Sequence, residues 1–203
     1  PFILSFIGGD VYDPSKGTSP HRNVVLRWLI RRLARVAAAR TAISSDVARR
    51  ARELHGVEQP ITVVPLGLIP TKVTVKTRTE LGLPEHVPLF ISVGRLIPRK
   101  GFEDLLRAWQ DIPTAHLAIV GDGPLRSRLE KVIQELDIGG RVHLLGFVDE
   151  TKKQQLLRAV DAYISGAEHE GFGIVFLEAM EAGLPIIATD AGGQTDFLVT
   201  GEN

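Results

Sequence analysis

The chain has 203 residues, of which 44% are hydrophobic and 24% are charged, a composition typical of a globular protein with a buried core. Lys+Arg and Asp+Glu number 24 each, so the net charge gives no reason to expect nucleic-acid binding. The chain has no cysteine, which excludes disulfides, thiolate catalysis and cysteine-ligated zinc.

The first third of the chain alternates short apolar runs with helical patterns. A stretch rich in proline and threonine follows at 65–76 and is typical of a linker between domains. We therefore expect a partial first domain at 1–66 and a linker at 67–87. The predicted strands are 2–7, 41–44 and 61–64, and the predicted helices are 23–39 and 46–54.

From residue 88 onward the alternation of strand and helix becomes regular. Continuous apolar strands that alternate with helices predict an α/β fold, in which a parallel sheet is covered on both faces. We assign 88–203 to this second domain. The predicted strands are 89–93, 117–120, 142–145, 162–165 and 185–188, and the predicted helices are 101–110, 124–136, 151–160 and 173–182.

Ligands of such sheets bind beyond the carboxyl ends of the strands. At these ends the sequence places Gly94-Arg95, Gly121-Asp122-Gly123, Gly146-Phe147 and a run that ends in Glu170-Gly171. The gathering of glycine, arginine and glutamate predicts that this edge of the sheet is the binding site.

Two cations stand in the loop that leaves the first of these strands. Arg95 and Lys100 flank a helix start, where backbone N–H groups also favour anions, so the loop suits a diphosphate. The alternative is a solvated basic loop with no ligand.

The segment Glu170-Gly171-Phe172-Gly173 opens the helix that carries Glu178. Its glycines can expose N–H groups to phosphate or sugar oxygens. Glu178 lies on an otherwise apolar face, where a carboxylate needs a partner, and a pair of ribose hydroxyls would supply one. The alternative is a structural glutamate that caps a helix or forms an internal ion pair.

Residues 91–203 carry a series of motifs in a fixed order. They are Gly94-Arg95, Lys100-Gly101, Gly121-Asp122-Gly123-Pro124, Leu145-Gly146-Phe147-Val148, Glu170 to Gly173, Leu177 to Met180, Gly183-Leu184-Pro185 and Gly192-Gly193. This series resembles the donor domain of the retaining GT-B glycosyltransferases of family four. The resemblance implies two Rossmann-like parallel sheets, a nearly complete C-terminal one that is truncated at its end and a partial N-terminal one at 1–66, the end of the acceptor domain.

The resemblance implies catalytic roles for Glu170, Arg95 and Lys100. Arg95 and Lys100 would hold the nucleotide diphosphate and stabilise charge on the departing phosphate, which agrees with the reading from charge alone. Glu170 would lie beside the donor sugar.

The resemblance also implies binding roles. Nucleotide binding would involve Arg95 and Lys100 at the diphosphate, Glu178 at the ribose and the backbone near Val148 at the base. Donor-sugar binding would involve Glu170 and the backbone of Gly171, Phe172 and Gly173.

The implied activity is transfer of a sugar, with retention of configuration, from a nucleoside diphosphate sugar to a hydroxyl of a sugar, polysaccharide or lipid-linked acceptor. No Asp-x-Asp triplet occurs and the six histidines form no ligand pair, so we expect no metal and no cofactor. Enzymes of the family have further residues before and after this stretch, so we expect the chain to be incomplete, and whether it is active in isolation stays open. The donor nucleotide, the sugar and the acceptor stay open.

Two other functions remain as alternatives. A dehydrogenase would explain Gly121-x-Gly123 after a strand, but Arg126 replaces the third glycine of that fingerprint and no acid ends the next strand. A non-catalytic fragment or subunit that binds a nucleotide sugar would use the same donor-site residues without turnover.

A basic amphipathic helix is predicted near the start of the chain. Arg27, Arg31 and Arg35 are spaced by four and share a face, and Val25, Leu29, Leu33 and Val36 lie opposite. A helix of this pattern can make peripheral contact with an anionic membrane, here at the inner face of a cytoplasmic enzyme. The alternative is that the apolar face, Leu29 and Leu33 included, packs on the sheet.

Overall fold

The computed structural model describes residues 1–14, 17 and 19–201. These residues form two compact units. The first unit contains Pro1–Gly67, Glu168–Gly173 and the described part of Asp190–Glu202, and the second contains Leu68–Ala167 and Ile174–Thr189.

The first unit is built on a small parallel sheet in the order β1-β2-β3. Ser44 caps the second helix by accepting the N–H of Val47, and Gly56 ends it in the left-handed conformation. The elements are β1 (Ile3–Phe6), α1 (Val24–Val36), β2 (Ala39–Ala42), α2 (Ser45–His55) and β3 (Thr62–Val63).

Helix α1 packs only in part against its unit. Asn23 caps it, and Ala34 is its one buried residue, with Ile30 packed against the core of the unit. Packing does not claim Leu29, as the alternative to membrane contact requires, since this side chain is 41% exposed. Arg31 turns from the predicted basic face to α2, where its Nε donates to the carbonyl of His55.

The second unit is a five-stranded parallel sheet in the order β6-β5-β4-β7-β8. Its core packs around Trp109, which is 1% exposed and donates its indole N–H to the carbonyl of Ala115. The elements are α3 (Arg78–Leu81), β4 (Leu89–Val93), α4 (Phe102–Trp109), β5 (His116–Val120), α5 (Arg126–Glu135), β6 (Val142–Gly146), α6 (Glu150–Leu157), β7 (Ala162–Ser165), α7 (Ile174–Glu181) and β8 (Ile186–Ala188).

The strand order reverses beside β4. The chain proceeds from β4 to β5 and β6 on one side and then crosses to β7 and β8 on the other. Helices join consecutive parallel strands throughout. In sheets of this kind the crevice beyond the carboxyl ends of the strands is where ligands bind.

The predicted α/β class with parallel sheets is confirmed. Helix α3 was not predicted, although its capping box, with Thr77 and Glu80 bonded reciprocally, is a sequence signature of a helix start. It lies inside the stretch 67–87 that was assigned as a linker. The limits proposed for the two domains stay predictions.

Candidate functional site

Two loops lie against each other at the carboxyl ends of β4 and β5. The N–H of Leu96 donates to the carbonyl of Asp122, and the N–H of Gly94 donates to that of Val120. A Cβ on Gly121 would lie 1.9 Å from the Gly94 oxygen, and one on Gly123 would lie 2.6 Å from the Leu96 oxygen. Both glycines therefore have a packing reason for their presence, independent of the dinucleotide fingerprint.

The two predicted cations meet at this edge. Lys100 folds over Gly94, since a Cβ built on that glycine would be 3.5 Å from the lysine Nζ. Arg95 is the next residue and is exposed. The sequence-predicted diphosphate site is thus a surface where an arginine and a lysine lie beside the same glycine.

A cavity of about 660 Å³ opens beside this loop within the second unit. Two residues predicted for nucleotide binding, Arg95 and Val148, line it, as does the exposed ring of Phe147. The other lining residues are Val93, Gly94, Val120, Gly121, Asp122, Glu150 and Lys153.

Glu178 is a buried carboxylate on α7. Its Oε1 accepts a hydrogen bond of 2.8 Å from Nζ of Lys153, and its Oε2 is buried with no hydrogen-bond partner among the described residues. Burial raises the pKa of Glu178, while the Lys153 ammonium opposes that rise. Glu178 does not itself line the cavity and adjoins it through Lys153.

The segment Glu170–Gly173 belongs to the first unit. The carbonyl of Gly171 accepts a 2.7 Å hydrogen bond from Ser44 Oγ, and that of Glu170 accepts one of 2.7 Å from the Gly193 N–H. Glu170 and Phe172 are buried. The structure therefore divides the predicted site residues between the units, with Arg95, Lys100, Val148 and Glu178 in the second.

Glycines allow the close approach of these chain segments. A Cβ on Gly192 would lie 2.5 Å from the Glu170 oxygen, and one on Gly193 would lie 2.1 Å from the Gly171 oxygen. The motif residues Gly192 and Gly193 thus hold the backbone of Glu170 and Gly171 within the first unit.

Sequence reasoning missed Glu150 and Lys153, which line the cavity. Both lie on α6, which begins directly after β6 and is capped by Asp149. The rule that ligands bind at strand ends could have found them, because the first turn after a strand faces the same edge. The signal that was missed is the acidic residue Glu150 followed three positions later by the basic residue Lys153, a spacing that brings both side chains together on a helix.

A polar cluster in the first unit was also missed. Asp46 forms ion pairs with Arg49 and Arg50, and its Oδ2 lies 3.6 Å from His169 Nδ1. The Tyr12 ring contacts His169 edge-on and lies under the Arg50 guanidinium, 4.1 Å from the ring centre. These contacts are local to the first unit. An open groove of about 470 Å³ lies beside them and is lined by both acidic and basic side chains.

Within the described part of the chain, no three His, Cys, Asp or Glu side chains are grouped to hold a metal ion. The expectation of a reaction without metal or cofactor stays a prediction. Across the same residues, no helix has the length and apolar character needed to cross a bilayer.

Fold and cavity together define an α/β protein with a cavity at the carboxyl edge of a doubly wound parallel sheet. Residues 74–203 match the family described as "Glycosyl transferases group 1". The chain belongs to this family, as the sequence resemblance predicted.

Individual relatives agree with this assignment. The chain is 34% identical over 157 residues to the lipopolysaccharide core biosynthesis glycosyltransferase LpsE of Rhizobium meliloti, covering 77% of this chain and 45% of LpsE. It is 30% identical over 190 residues to a GDP-mannose-dependent phosphatidylinositol monomannoside mannosyltransferase of Corynebacterium glutamicum. The match covers 85% of this chain and 49% of that relative. The chain thus spans about half the length of these relatives.

Solved structures have the same fold. The lipopolysaccharide outer core galactosyltransferase WaaB matches with a TM-score of 0.66 and 29% identity, over 81% of this chain and 47% of WaaB. HepE of Anabaena in complex with UDP matches with a TM-score of 0.80 and 24% identity, over 100% of this chain and 57% of HepE.

Proposed function

We propose that the protein is a retaining glycosyltransferase, and that this chain holds the site for its nucleoside diphosphate sugar donor. The observation that carries the proposal is the cavity at the carboxyl edge of the second unit. Arg95 lines it, Lys100 lies against Gly94 in its wall, and Lys153, the ion-pair partner of Glu178, lines it as well.

The chemistry of transfer explains why cations are needed. When the bond between the anomeric carbon and the phosphate oxygen breaks, negative charge grows on the departing diphosphate. Arg95 and Lys100 stabilise that charge, and fixed cations lower the barrier because they are already oriented. The acceptor hydroxyl forms the new bond to carbon and gives its proton to the departing phosphate, which keeps the anomeric configuration in the front-face mechanism that the resemblance implies.

The buried carboxylate explains nucleotide binding. Oε2 of Glu178 has no hydrogen-bond partner among the described residues, and a ribose has two adjacent hydroxyls that donate hydrogen bonds. Glu178 adjoins the cavity through Lys153, and the exposed Phe147 ring and Val148 line the cavity and give the base an apolar surface. Glu170 is assigned to the donor sugar by the resemblance.

The donors and ligands of similar proteins support a nucleotide sugar as the donor of this protein, and they leave the base and the sugar open. HepE structures are described in complex with UDP and with UDP-glucose, whereas the Corynebacterium relative is described as GDP-mannose-dependent. Relatives therefore differ in both base and sugar. The acceptor of this protein stays open among sugars, polysaccharides and lipid-linked sugars.

Titration calorimetry with UDP-, GDP- and ADP-sugars tests the donor site. We expect one nucleotide class to bind, and NADH not to compete with it. Tight binding of NADH that none of the three nucleotides displaces would favour the dehydrogenase alternative. Product formation by the whole protein separates an enzyme from a subunit that binds the donor without turnover.

We also propose that α1 makes peripheral contact with an anionic membrane. Val25 and Trp28 are 70% and 58% exposed on this helix, and Leu29 is also exposed. The Arg32 guanidinium lies 5.6 Å from the Trp28 ring centre, so charge and apolar surface adjoin. Anionic lipids attract basic residues by about 1 kcal/mol each near the surface, and an exposed tryptophan suits the headgroup region.

Co-sedimentation with phosphatidylglycerol vesicles, compared with phosphatidylcholine vesicles, tests this contact. We expect binding to the anionic vesicles at low salt and release at high salt, because salt screens exposed charges. Trp28→Ala should weaken binding, whereas Ile69→Ala, which alters an exposed apolar side chain of the second unit, should not. Equal binding of both variants, or binding that salt does not change, would contradict the proposal.

A further inference from the structure

Lys153 lies between two carboxylates in the wall of the donor cavity. Its Nζ is 2.8 Å from Oε1 of Glu178 and 2.8 Å from Oε2 of Glu150. The lysine side chain is 17% exposed, that of Glu178 is 7% exposed and that of Glu150 is 59% exposed. One ammonium therefore joins a buried carboxylate to one at the surface.

The bond to Lys153 leaves the two oxygens of Glu178 in different situations. Oε1 is occupied by the ammonium, and Oε2 is buried with no hydrogen-bond partner in the described part of the chain. The hydrogen bond also fixes the plane of the carboxylate, because Lys153 is itself held by Glu150. A ligand with two adjacent hydroxyl donors would complete the bonding of Glu178.

The charge of Glu178 depends on the same lysine. Burial raises the pKa of Glu178, and the negative charges of Glu150 and Glu181 act in the same direction. Lys153 opposes all three. The pKa of Lys153 is raised by its bonds to both carboxylates in spite of its own burial, so the lysine stays charged.

We propose that Lys153 is a positioning residue of the nucleotide site, which holds the Glu178 carboxylate through Oε1 and presents Oε2 to the ribose hydroxyls. This inference rests on the donor site proposed above and goes beyond it, because it assigns ribose recognition to a lysine–glutamate pair. Glu150 secures the lysine from the outer side of the cavity.

The test measures ribose recognition directly. Wild type, Lys153→Met and Lys152→Met are titrated with UDP, GDP and ADP and with the 2′,3′-dideoxy form of each. Lys152 is the next residue on the same helix, is exposed and does not line the cavity, so it is the matched control. Lys153→Arg tests whether a conservative cation restores binding.

For the wild type and Lys152→Met we expect the dideoxy form to bind about tenfold or more weakly than the ribose form, as for the loss of hydrogen bonds to a charged group. In Lys153→Met the ratio of the Kd of the dideoxy form to that of the ribose form should fall toward one, with affinity for the dideoxy form little changed. Lys153→Arg should recover most of the ratio. The ratio of Lys153→Met should also recover as pH rises, because a Glu178 that lacks its cation ionises only at higher pH.

An undiminished ratio in folded Lys153→Met would overturn the positioning role. If Lys153→Met does not fold by circular dichroism, Lys153→Leu replaces it, because leucine also removes both the charge and the hydrogen bond to Glu178; an undiminished ratio there has the same meaning. Failure of the donor-site proposal looks different, because then none of the three nucleotides binds the wild type.

Discussion

Replacing Arg95 or Lys100 with alanine is expected to slow sugar transfer by the whole protein roughly a hundredfold or more, the usual cost of removing one group that stabilises developing negative charge. Both cations adjoin Gly94 at the carboxyl end of β4, where the diphosphate is proposed to lie. The loss should appear mainly in kcat, since charge on the diphosphate is greatest after the glycosidic bond has begun to break.

Single-turnover rates with saturating donor give the cleanest measurement, because they separate bond breaking from binding. Lys131→Ala is the matched control, since this lysine is exposed on α5 and does not line the cavity. A double variant of Arg95 and Lys100 that transfers sugar at the wild-type rate would show that neither cation acts on the leaving group.

Replacing Glu178 with alanine is expected to weaken nucleotide binding by about 1–3 kcal/mol, the range for hydrogen bonds to a charged group. The carboxylate is buried, and its Oε2 lacks a partner among the described residues. The loss should be smaller for a dideoxy nucleotide, which has no hydroxyls to offer. The nucleotide affinity of Glu178→Gln should lie between that of the wild type and that of Glu178→Ala, because an amide oxygen still accepts a hydrogen bond.

Calorimetry with the nucleotide that binds the wild type measures this effect. Glu130→Ala removes an exposed carboxylate on α5, whose partner is Arg126, and serves as the control for net charge. Unchanged affinity in Glu178→Ala would remove the ribose assignment and make the glutamate a structural partner of Lys153.

Much of the second unit could be predicted from periodicity alone. Strands β4 and β7 have the predicted limits, Leu89–Val93 and Ala162–Ser165, because buried parallel strands are continuous apolar runs that break at glycine or polar residues. Helix α5 begins at Arg126, two residues later than predicted, because Pro124 and Leu125 lie in a turn in which the Leu125 N–H donates to the carbonyl of Leu96 in the adjoining loop.

Contacts between distant residues could not be predicted in this way. The bond between Lys153 and Glu178 joins α6 to α7, and 25 residues separate its partners. Helical spacing reports which side chains share one helix face, but it carries no information on the partner helix. The placement of Glu170–Gly173 with the first unit likewise depends on the bond from Ser44, 127 residues away from Gly171.

The first unit shows where pattern and packing diverge. The amphipathic pattern correctly predicted a helix at α1, yet the side chain of Leu29 is exposed and Arg31 bonds to α2. The helical spacing of apolar residues in the sequence defines an apolar face, but the neighbouring elements decide which part of that face is covered.

A crystal structure of the protein with a bound nucleoside diphosphate sugar would show where the donor lies. We expect the diphosphate beside Arg95 and Lys100, the ribose hydroxyls within hydrogen-bond distance of Glu178 Oε2, and the base against Phe147 and Val148. A nucleotide bound elsewhere, with the cavity beside β4 empty and Glu178 bonded to Lys153 alone, would contradict it.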